Sequence, residues 1–142
     1  MFAPWQMPWL PAAPADFKDR LKALAATPPG SGTELQQLAT CQLNSSQLQA
    51  FGKTMRMLGA EGVGLDPLSP LRLAVLSSST FDIVAGALPA AGARHGLALD
   101  VALAEYDQIV QTALNPKADV FAERPDAVLV HFDHRWLGLD RF

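Results

Sequence analysis

The stretch Leu71-Arg72-Leu73-Ala74-Val75-Leu76-Ser77-Ser78-Ser79-Thr80 decides the fold. Five of its first six residues are apolar, and they run straight into four small hydroxyl side chains. A short continuous apolar run bounded in this way reads as a strand buried on both faces, the kind found in parallel sheets. A helical pattern starts behind the hydroxyls. Ile83, Val84, Ala87, Leu88 and Ala91 supply its apolar face, and Ser79-Thr80-Phe81-Asp82 resembles an N-cap followed by a first-turn acid. A strand that hands small polar groups to a helix N-terminus is how open α/β folds build their sites.

Downstream the alternation continues. Pro89 falls inside the helical pattern and predicts a kink or break near Leu88. Arg94-His95-Gly96 has the form of a helix C-terminus with a glycine just beyond it. Leu97–Ala104 reads as a second strand and Tyr106–Leu114 as a short helix stopped by Asn115-Pro116. Arg124-Pro125-Asp126 is a turn, and Ala127–Phe132 is a third strand, apolar until His131. Strand–helix alternation of this kind implies an α/β fold with a small parallel sheet and right-handed crossovers, a three-layer sandwich.

Upstream the pattern is different. Residues 1–15 hold four prolines and two tryptophans, Trp5 and Trp9, an extended arm whose indoles need a surface on this chain or on a partner. Three helical patterns occupy residues 16–58. Asp16 opens the first, with Phe17, Leu21 and Leu24 on one face, and Thr27-Pro28-Pro29-Gly30 ends it. Ser31-Gly32-Thr33-Glu34 has capping-box spacing ahead of Leu35, Leu38 and Ala39. Asn44 with Gln47 opens the third, whose stripe is Leu48, Phe51, Met55 and Leu58, a core face rather than a cofactor box. Residues 59–70, with three glycines and two prolines, read as a linker into the α/β region at 71–142, the whole making one structural domain.

Composition sets the outer limits. Of 142 residues, 49% are apolar and 18% charged, so a packed core is expected rather than disorder. Residues 1–69 carry five basic and five acidic side chains, and residues 70–142 carry six and nine, which accounts for the net charge of −3. No Lys/Arg cluster exists to follow a phosphate backbone or an anionic membrane, so neither partner is expected. Cys41 is the only cysteine, which excludes an internal disulfide and fits a reducing compartment. Met1-Phe2-Ala3-Pro4-Trp5 lacks the basic start of a signal peptide, and no apolar run has membrane-spanning length. A soluble cytoplasmic protein is expected.

Several of these segments resemble the N-terminal domain of FkbH-like proteins. Leu73-Ala74-Val75-Leu76-Ser77-Ser78-Ser79-Thr80-Phe81-Asp82 looks like its opening strand. Glu105-Tyr106-Asp107-Gln108 followed by Leu114-Asn115-Pro116, and Arg124-Pro125-Asp126-Ala127-Val128-Leu129-Val130, are similar in order and spacing. So are Trp9-Leu10-Pro11, Asp16-Phe17 and the helices up to Leu58, so the resemblance covers nearly the whole chain. It implies an SGNH-hydrolase-like, flavodoxin-like α/β domain joined to a phosphatase domain of the haloacid-dehalogenase superfamily (subfamily IIIC). Members in polyketide pathways take a glyceryl unit from 1,3-bisphosphoglycerate and load it onto an acyl carrier protein. The chemistry is attributed to the phosphatase-like domain, through an Asp-x-Asp-x-Thr motif and Mg²⁺. This sequence contains no such motif: neither Asp133-His134-Arg135 nor Asp140-Arg141-Phe142 supplies it. The expectation is therefore an accessory domain without a cofactor of its own, with the phosphatase-like domain and the carrier protein as partners.

The resemblance also sets a question about the serines. SGNH hydrolases carry Gly-Asp-Ser after the first strand, and here the block is Ser77-Ser78-Ser79, with Ser79 at the nucleophile position. Serine needs a base within hydrogen-bond reach. His134, just past the third strand, is the candidate base, with Asp133 as its orienter. His131 reads as a core or sheet-face residue, and His95 is placed at the far end of the preceding helix. Ser77, Ser78, Thr80, Glu105 and Tyr106 would line the crevice. No Gly-x-Asn-Asp or Asp-x-x-His block occurs, and three scattered histidines give no metal motif, although Asp133 with Glu105 leaves room for a hydrated Mg²⁺. Two functions stay open beside the accessory one: an esterase or thioesterase using Ser79, and a docking module with the Trp5/Trp9 arm as its contact.

Overall fold

The computed structural model describes residues 9–26 and 30–138. Its elements are α1 (Phe17–Ala26), α2 (Ser31–Ala39), α3 (Ser45–Ala60), β1 (Ser69–Ser77), α4 (Asp82–Arg94), β2 (Leu97–Leu103), α5 (Ile109–Ala113), a 3-10 turn (Asp119–Phe121) and β3 (Ala127–His131). The fold is α/β, with an open, parallel, three-stranded sheet in the order β2-β1-β3. β1 is central, and its register against β3 runs from Leu73 opposite Ala127 to Ser77 opposite His131. The apolar run seen in the sequence is what makes it central: Ala74, Val75 and Leu76 are all at most 2% exposed.

By contact density the chain divides into two compact units, residues 1–70 with 86–99, and residues 71–85 with 100–142. In the first, Phe17, Leu21 and Leu24 of α1 pack with Leu35 and Leu38 of α2 and Phe51, Met55 and Leu58 of α3. Ala90 and Ala93 of α4 complete that core, so residues 86–99 belong with the helices and not with the α/β region that the cut near residue 70 would assign. Small residues make the approach possible. A side chain at Gly52 would collide with the backbone carbonyl of Gly86. Arg94, in the last turn of α4, donates from Nε to the Ala39 carbonyl at 2.8 Å, placing a cation on the C-terminus of α2. The proline arm is tied down at its inner end, where Gln42 N–H donates to the Pro11 carbonyl at 2.7 Å beside an Ala12–Gln42 bridge. Trp9 is 63% exposed; Trp5 and Thr27-Pro28-Pro29 lie outside the described residues.

Several local expectations need correction. The Ser31/Glu34 capping box does not form: Gly30 in the left-handed region is the N-cap, Ser31 is already helical, and its buried hydroxyl has no partner among the described residues. The Asn44/Gln47 box does form, reciprocally, with both bonds at 2.9 Å. Pro89 does not end α4, which continues to Arg94. It gives up the bond its missing N–H would make, while the helix is held by the burial of Ala85, Ala90 and Ala93. The helix expected at Tyr106–Leu114 is only Ile109–Ala113, because Asp107 takes a positive φ of 56° and interrupts it. The 59–70 linker is shorter than read, since α3 reaches Ala60 and β1 starts at Ser69.

Candidate functional site at the ends of β1 and β3

At its C-terminal end β1 delivers Ser77, Ser78 and Ser79. Successive strand side chains point to opposite faces, and residues in register on neighbouring parallel strands share a face. Ser77 is in register with His131, so the two meet: Ser77 Oγ is 3.0 Å from His131 Nδ1. Past the strand, Ser79 turns back toward the same ring, with its Oγ 3.3 Å from Nδ1. Ser78 points away. Its hydroxyl accepts from Asp133 N–H at 2.9 Å, and its own N–H donates to the His131 carbonyl at 3.0 Å. The serine run thus ties the ends of β1 and β3 together from both faces. Phe81 lies beside the imidazole, ring centroids 5.1 Å apart and planes tilted by 49°.

Proton counting fixes the polarity of this cluster. Ser77 Oγ has three neighbours: the Ser79 carbonyl at 2.7 Å, the Ser79 N–H at 3.1 Å and His131 Nδ1 at 3.0 Å. A hydroxyl carries one proton and a carbonyl only accepts, so that proton goes to Ser79 O. The Ser77 oxygen then accepts from Ser79 N–H, and its remaining capacity is as an acceptor from His131. Assigned this way, Nδ1 bears the hydrogen and shares it between Ser77 and Ser79, and the lone pair of the neutral ring is on Nε2, away from both. Nδ1 in this state is a donor to Ser79, not a base for it.

The other expected site residues take up different places. His134 is exposed and is not part of the hydrogen-bonded serine group. Asp133 is not oriented toward a histidine: its Oδ1 accepts from Trp136 N–H at 2.9 Å, closing the turn after β3. Thr80 is exposed, Tyr106 is 65% exposed, and Glu105 accepts from Gln108 Nε2 at 2.8 Å. Ser79 does not cap α4, whose first residue is Asp82, three positions on. No group of three or more His, Cys, Asp or Glu side chains gathers at metal-binding distance among the described residues. His131 is the residue that sequence reasoning set aside. Its signal was there, as the first polar residue to end the apolar run of β3, just as Ser77 ends that of β1. Recognising the match requires the register between the strands.

No family model and no curated protein matches the chain. A solved structure does: the N-terminal part of the protein BF1531 from Bacteroides fragilis, containing a phosphatase domain complexed with Mg. The similarity has a TM-score of 0.51 at 19% identity, over 68% of this chain and 24% of that one. At that identity it speaks to the fold. The chain spans about a quarter of the length of the structure it matches. Among the described residues no helix is long and apolar enough to cross a membrane.

Proposed function

We propose that this chain is a non-catalytic accessory domain of an FkbH-like enzyme, one that loads a glyceryl unit from 1,3-bisphosphoglycerate onto an acyl carrier protein. Its role is to position the phosphatase-like domain or the carrier by protein contact, and Mg²⁺ belongs to that other domain. The observation that carries the non-catalytic part is the hydrogen-bond count at His131, which leaves Ser79 facing a donor rather than a base. The link to a phosphatase-like partner is supported by the fold similarity to a phosphatase-containing chain and by the sequence resemblance set out above.

Two measurements test it. Incubated with carrier protein, 1,3-bisphosphoglycerate and Mg²⁺, the chain alone yields no glyceryl adduct by mass spectrometry, and addition of the phosphatase-like domain restores loading. An adduct formed by the chain alone would sink the proposal. Long-range ¹H–¹⁵N correlation on the ¹⁵N-labelled protein, with the imidazole neutral, shows His131 protonated at Nδ1.

A second reading has one observation in its favour, the 3.3 Å approach of Ser79 Oγ to Nδ1. If the labelled ring instead carries its proton on Nε2, Nδ1 becomes a base beside Ser79. An esterase or thioesterase then follows, in which a short acyl ester is cleaved by the native chain and by neither Ser79→Ala nor His131→Ala.

A further inference from the structure

We draw no further inference here: the strongest candidate, the apolar surface that Val128, Leu129 and Val130 expose on the edge strand β3, carries nothing because nothing in the structure shows what covers it.

Discussion

Ser77 and Ser79 carry the same hydroxyl two residues apart, and their surroundings give them different work. Ser77, 7% exposed, satisfies the Ser79 N–H, the Ser79 carbonyl and His131 together. Ser79 has only the longer, shared contact to His131. Removing the Ser77 hydroxyl takes a partner from the part-buried Ser79 backbone and His131 ring, so Ser77→Ala is expected to lower stability by about 1–2 kcal/mol. Ser79→Ala leaves every buried group with a partner and is expected to stay within about 0.5 kcal/mol of the native protein. Urea unfolding of the two variants checks the order. Equal losses would mean that Ser79 shares the structural load and that the proton assignment is mistaken. Both residues were legible as site candidates, because small hydroxyls after a buried strand are conspicuous. Which of them is structural was not, since that depends on a histidine more than fifty positions away.

At the scale of elements, the local rules succeed where an element's neighbours are its own sequence. The Asn44/Gln47 box is such a case, both partners lying within one turn at the start of α3. Asn44→Ala is expected to lower stability by about 1 kcal/mol, measured by thermal or urea unfolding. No loss would mean that water replaces the side chain without penalty. The equivalent motif at Ser31 fails for a tertiary reason. Gly32 is pressed against the Leu65 and Asp66 carbonyls, and Gly30 reaches the left-handed region that lets the chain enter α2 one residue early. Pro89 is the same lesson inside a helix. A residue that breaks helices in isolation is tolerated where the flanking alanines are buried.

For the whole molecule, the unexpected feature is the discontinuous first unit, in which residues 86–99 return to the helical core. The hinge of that packing is the contact of Gly52 with the Gly86 carbonyl. Gly52→Ala places a methyl group on backbone that cannot step aside, with an expected loss of about 1–3 kcal/mol, read by urea unfolding. Gly59→Ala, with open space at its Cβ, is the control and is expected not to destabilise. Equal behaviour of the two would show that α3 and residues 86–99 are not closely apposed.

The amino-acid sequence by itself determined the α/β class, the central place of the Leu71 strand and the three helices before it. Those features follow from hydrophobic periodicity and from turn residues acting within a few positions. The serine turn was also legible as a candidate site, and the structure gathers Ser77, Ser79 and His131 there. Tertiary structure decided the rest: the pairing of Ser77 with His131, the engagement of Asp133 with its own turn, and the return of residues 86–99 to the helices. The physical reason is common to all three. Strand register and close backbone approach are set by contacts between segments distant in the chain, and no local pattern of apolar and polar residues encodes which distant neighbour a side chain will meet.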